Sequence, residues 1–237
     1  SVGSGQSISY PLTILNAVIA YGMDHISQEL EKNLAKDSNL QTAVFNIIRS
    51  VLPEIKKVLF SGNGYSDEWK IEAEKRGLPS LQNTPKAYAW LKENLNFLID
   101  AKIYTKRELD AKMHIVMERY CKSSMIEASC LIDMIKTFVL ASAEEELSIR
   151  QNSASIRENN TKDLKETATG LAEKIEKLED LYKELKSIDC SWTQANRLST
   201  ELIPVMEEIH QLSNRVEQNT RDHLWRLPKY REMLFLR

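Results

Sequence analysis

The sequence predicts an all-α protein, a bundle of long helices, and three observations carry that prediction. Only seven glycines and six prolines interrupt 237 residues, of which 28% are charged, a composition suited to long solvated helices. Apolar residues recur at spacings of three and four along most of the chain, which places them on single helical faces. No stretch reads as a convincing strand.

Residues 1–10 are polar and irregular, and Pro11 suits the first turn of a helix. Leu12, Leu15, Ile19, Met23, Ile26, Leu30 and Leu34 then form one face. Asp37 or Ser38 is the expected cap of a second helix, with Leu40, Val44, Ile47, Ile48, Val51, Leu52, Ile55, Val58 and Leu59 as its apolar positions. Pro53 lies inside that pattern, where a kink or a split is expected.

An elbow follows, from Phe60 to Pro85. Gly62, Asn63 and Gly64 tolerate positive φ at little cost. Ser66 is placed to cap a helix starting at Asp67, with Asp67 and Glu68 at its positive end. Gly77 suits its C′ position, and Pro79 stops it from restarting. Phe60, Tyr65 and Trp69 call for burial.

Beyond the elbow, Thr84-Pro85 reads as a cap with proline at the first helical position, followed by Tyr88, Leu91, Leu95 and Leu98. Thr105 and Glu108 match a capping box. They open a long helix whose buried face is expected to hold Leu109, Met113, Val116, Met117, Tyr120, Ile126, Leu131, Ile135 and Val139. Residues 144–163 are polar without Pro or Gly, and either a helical extension or a break near Asn159-Asn160 is compatible with them.

Two heptad seams follow, Leu164 to Leu185 and Ala195 to Asn219, joined at Asp189-Cys190-Ser191. They predict a protruding, coiled-coil-like antiparallel hairpin over 161–222, although periodicity serves a contact between chains equally well. Pro204 and Gly170 weaken one turn each. Residues 224–237, with Leu224, Trp225, Leu227, Tyr230, Leu234 and Phe235, are too apolar for a free tail and are expected to dock on the body or on a neighbouring subunit.

A formal net charge of −2 provides no basic field for nucleic acid. Cys121, Cys130 and Cys190 form no CxxC pair, so reduced thiols and a cytoplasmic location are expected. No run is long and apolar enough to span a membrane. The start on Ser1, in a small-residue stretch, reads as a piece cut from a larger protein.

The string Phe60-Ser-Gly-Asn-Gly-Tyr-Ser-Asp-Glu-Trp69, followed by Glu72-Ala-Glu-Lys-Arg-Gly-Leu-Pro79, closely resembles the C-terminal region of type III glutamine synthetases. Residues 1–34 (Ser-Val-Gly-Ser-Gly-Gln, Thr13 to Ala20, Glu29 to Glu31) resemble the segment after the family's last catalytic signature. Leu224-Trp225, Leu227-Pro-Lys-Tyr230 and Met233-Leu-Phe235 resemble its final residues.

The resemblance implies that residues 1–36 end a catalytic domain and 37–237 form a C-terminal helical domain. It further implies a parent that binds ATP and Mg or Mn and ligates ammonia to glutamate through γ-glutamyl phosphate. Its partners would be the catalytic domain of the same polypeptide and further copies, in stacked hexameric rings. The metal-ligating glutamates and phosphate-holding arginines would lie before Ser1, with Ser4, Gly5 and Gln6 near the active-site floor.

The residues themselves show no catalytic, cofactor or metal constellation, and none is assigned. His25, His114, His210 and His223 have no metal-site spacing. Gly3-Ser-Gly5 and Gly62-Asn-Gly64 complete no phosphate loop. Asp67, Glu68, Glu72 and Glu74, and likewise Glu144-Glu145-Glu146, are expected to be solvated charge. The alternative from another class is a free-standing helical interaction module. Exposure of the Leu12–Leu34 face would favour the ligase piece over the module.

Overall fold

A computed structural model describes residues 8–36, 39–81, 83–151, 158–189 and 191–234. All regular structure in them is helical, with no strand among the described residues. The chain divides into two compact units, residues 1–81 and 82–237.

The first unit holds α1 (Ser9–Leu34), α2 (Leu40–Lys56) and α3 (Asp67–Lys75). The cap of α2 is Asn39, whose side chain accepts from the amides of Gln41 and Thr42; Asp37 and Ser38 lie outside the described residues. Pro53 does not split α2, which runs through it to Lys56. Pro53 sits in the final turn, so its missing N–H costs one bond near an end that frays anyway. α1 and α2 pack on each other, yet the buried apolar residues here are small or few: Ala17, Ala43, Ile47 and Ala73.

The second unit contains α4 (Thr84–Asn94), α5 (Asn96–Asp100), α6 (Lys106–Met134), α7 (Leu140–Gln151), α8 (Glu158–Lys186), α9 (Ser191–Arg197), α10 (Ile203–Asn219) and the short α11 (Tyr230–Met233). Asn83, not Thr84, caps α4: its side chain accepts from the Lys86 amide, and Pro85 falls one position further in. The capping box at α6 forms as expected. Thr105 Oγ1 accepts from the Glu108 amide, and the Glu108 carboxylate accepts from the Thr105 amide.

α6 and α7 are one rod joined by a π-helical turn, Ile135–Val139. Its buried side carries Met113, Met117, Cys121, Ser124, Ala128, Ile135 and Val139. Ile126, expected inside, is 64% exposed, because Ser124 and Ala128 hold the inward positions on either side of it. Residues up to Gln151 and from Glu158 onward are helical, Asn159 and Asn160 among them, so neither asparagine breaks the helix; residues 152–157 lie outside the described residues.

The two heptad seams pair within the chain. Asp163 meets Asn219, Lys174 meets Glu208, Glu184 meets Arg197 at 2.6 Å, and the Leu185 carbonyl accepts from Gln194. Residue numbers rise on one helix as they fall on the other, so the helices run antiparallel. The expected protrusion is not seen. Leu164, Leu171, Ile175, Leu178 and Leu185 share one core with Met117, Ala128, Val139 and Ala143, which places α6 and α7 over the pair. The heptad regularity is also broken by a second π-helical turn, Leu198–Leu202. It lies just before Pro204, whose ring would crowd the Thr200 carbonyl in a regular helix; widening the turn relieves that clash.

Candidate functional site

The elbow is built by local chemistry. Gly77 has φ of +71°, and it is the described glycine that needs positive φ. The Leu78 amide donates to the Ala73 carbonyl at 2.9 Å and the Gly77 amide to Glu74 at 3.0 Å, which closes α3 with a Schellman motif. Gly62 and Gly64 do not adopt positive φ. Gly62 serves another purpose: a Cβ there would sit 2.7 Å from the Phe60 ring.

Ser66 occupies the N-cap position of α3 as expected, but its side chain makes no capping bond. Its hydroxyl donates to the Asn63 carbonyl, and the Asn63 side chain accepts from the Tyr65 amide. Phe60 and Trp69 stack with centroids 4.7 Å apart, but Tyr65 stands 85% exposed, contrary to expectation.

Arg76 ties the elbow to the end of α2. Its guanidinium donates to the carbonyls of Lys57 and Leu59, takes Glu72 at 2.7 Å and lies over the Trp69 ring. The Arg76 hydrogen bond holds the Glu72 carboxyl below its usual range, and Lys70 does the same for Asp67. These carboxylates are ion-paired on one short helix and converge on no common point.

The second unit holds a polar cluster that the sequence reading missed. Glu146, expected in solvent, is 1% exposed. It accepts from Arg150 Nε at 2.6 Å and from the Arg221 amide at 3.2 Å. Arg150 also donates to the Asn219 carbonyl, and Ser142 Oγ donates to the Leu224 carbonyl at 2.8 Å. Together these bonds pin residues 219–224 against α7. Leu224 is buried there, and Trp225 and Leu227 pack on the core. Phe235 lies outside the described residues. The missed signal was spacing: Val139, Ala143, Glu146 and Arg150 continue one face at intervals of four, three and four. Each charge has its partner on that face, which makes burial tolerable.

The largest unsatisfied feature is apolar. On α1, Leu12, Leu15 and Ile26 are about half exposed, and Ile19 and Met23 are 60% and 68% exposed. On α2, Leu40, Val44, Ile48, Leu52 and Ile55 are likewise open to solvent. Exposed apolar stripes of this kind mark a contact site.

His25, His114, His210 and His223 are all exposed and dispersed over α1, α6, α10 and the segment after α10. Cys121 is buried, with Sγ 3.2 Å from the Ser191 carbonyl, and Cys130 is exposed; Cys190 lies outside the described residues. Among the described residues, no three His, Cys, Asp or Glu side chains gather to hold a metal, and no helix is long and apolar enough to cross a membrane. Ser4, Gly5 and Gln6 lie outside the described residues.

Residues 43–156 match the family model described as glutamine synthetase C-terminal domain. Over its whole length the chain is 33% identical to the type-3 glutamine synthetase of Dictyostelium discoideum, of which it covers 35%. It is 24% identical to a glutamine synthetase of Bacteroides fragilis over 99% of the chain and 35% of that protein. It is 27% identical to one from Butyrivibrio fibrisolvens over 91% of the chain and 34% of that protein. The chain thus spans about a third of the relatives it matches. Its elbow motif, its all-helical fold and these matches agree: the chain belongs to the type III glutamine synthetase family, and it corresponds to the C-terminal region of its members.

Proposed function

We propose that this chain is the helical C-terminal part of a ligase that joins ammonia to glutamate at the expense of ATP, through γ-glutamyl phosphate. Its contribution is packing and assembly, while the reacting groups, ATP and Mg or Mn belong to the part of the polypeptide that precedes it. One observation carries this reading: the Leu12–Met23 face of α1 stands open to solvent in a chain with a well-sealed core elsewhere. A self-sufficient interaction module would bury that face; a piece of a larger enzyme leaves it for the rest of the enzyme.

The donor chemistry supports the same division. Asp67 and Glu72 of α3 are ion-paired, and Glu146 is engaged by Arg150 and the Arg221 amide, so these carboxylates are committed to partners within the chain. Assembly into a homo-oligomer and a cytoplasmic location belong to the same proposal.

The test is glutamate-dependent phosphate release from ATP. The whole polypeptide is expected to release phosphate and form glutamine, and the 237-residue chain alone to stay at the blank. Turnover by the chain alone would refute the division of labour. No turnover by the whole polypeptide, with ATP, ammonia and Mg or Mn supplied, would refute the ligase reading.

A further inference from the structure

Between α1 and α2 runs an open trough of about 270 Å³ whose walls are wholly apolar: Ile26 and Leu30 from α1, and Val44, Ile48, Leu52 and Ile55 from α2. We propose that this trough receives an apolar helix from the part of the polypeptide preceding the chain. The proposal rests on the ligase reading above and names the contact by which the two parts join.

The shape of the trough selects the occupant. Val44, Ile48, Leu52 and Ile55 follow one another at spacings of four, four and three, so they form a ridge along one face of α2. Eleven residues of helix span about 16 Å, roughly three turns. Ile26 and Leu30, also four apart, provide the facing ridge. Two aliphatic ridges with a gap between them are the surface on which a third helix seats its own apolar stripe. A small ligand would find no polar group in these walls to orient it.

The relatives supply the source of the helix. The chain covers about a third of their length, and on the ligase reading the remaining two thirds would be tethered to it. Tethering gives such a segment a large effective concentration over any free partner. The trough also shares α1 with the exposed Leu12–Met23 stripe, so one continuous surface would be covered together.

The test uses the whole polypeptide. A photo-crosslinking amino acid replaces Ile48, and separately Leu52, and mass spectrometry identifies the joined peptide. The expected product joins either position to the preceding part of the polypeptide. In parallel, the thiols of Ile48→Cys and Ile55→Cys are expected to react with a maleimide at least about tenfold more slowly in the whole polypeptide than in the 237-residue chain.

Crosslinks to residues 83–237, or to this unit in a second copy, would overturn the proposal, as would equal labelling rates. Ligase turnover measured on the same preparations separates the two failures. Active enzyme with an open trough refutes only this inference, whereas inactive enzyme refutes the ligase reading.

Discussion

In the unit from 82 to 237, Leu164, Leu171, Leu178, Leu198, Leu202 and Ile209 are completely enclosed, while in the unit up to residue 81, Ile19, Met23 and Ile48 stand more than half exposed. Both units are helical and both carry apolar stripes of the same spacing. The difference lies in how many faces each stripe finds. In the second unit four helices, α6, α7, α8 and α10, converge on one core. In the first, α1 and α2 have chiefly each other. Each enclosed leucine is worth about 1.5–3 kcal/mol relative to exposure, so the second unit holds stability of its own that the first lacks. An apolar stripe therefore reports a helix, and only its surroundings report whether the partner is inside the chain.

The largest expected effect is at the buried ion pair. Glu146→Ala leaves Arg150 without its carboxylate and should destabilise the second unit by about 3–5 kcal/mol. Replacing both, Glu146→Leu with Arg150→Met, should recover most of that loss, and urea unfolding of the three proteins measures it. A single variant no less stable than the parent would show that the pair does not hold residues 219–224 to α7.

Core truncation draws the contrast between the units directly. Leu178→Ala should cost about 2–5 kcal/mol in the 237-residue chain. Ile48→Ala should cost under about 1 kcal/mol in the same chain, because its side chain is already half in water. Equal costs would erase the comparison.

The glycines sharpen it further. Gly170 lies in mid α8 with open space where a Cβ would be, so Gly170→Ala should stabilise by about 0.5–1 kcal/mol. Gly77→Ala forces positive φ on a residue with a Cβ and should destabilise by about 1–2 kcal/mol. Thermal melts of the two variants should move in opposite directions.

The smallest effect is in pH. Hydrogen bonds from Arg197 hold the carboxyls of Glu184 and Glu201 below the ordinary glutamate range. Groups lowered on folding contribute fully above their unfolded value and lose that contribution as pH falls through the folded value. The stabilisation of the α8–α9 end should thus be present at pH 6 and fade below about pH 4.5, and Arg197→Met should flatten that dependence. An unchanged acid profile in the variant would remove these pairs from the account.

Much of the fold was legible in spacing. The capping box at Thr105, the positive φ at Gly77 and the two seams now on α8 and α10 follow from local rules that act within a few residues. Caps moved by a residue or two, to Asn39 and Asn83, because several neighbouring side chains suit the role and the backbone decides among them. The elbow motif named a family, but Ser66 and Gly62 do other work than their types suggest, and Gly64 does not use its freedom to adopt positive φ.

By itself, then, the sequence determined where most of the helices lie and most of the residues on their apolar faces, since both depend on contacts three or four positions away. Only the tertiary structure decided what those faces meet. It folded the paired seams into the bundle, drew Glu146 inside beside Arg150, turned Ile126 outward and left the α1–α2 surface open. Burial depends on elements distant in the chain, and a period along one helix carries no record of them.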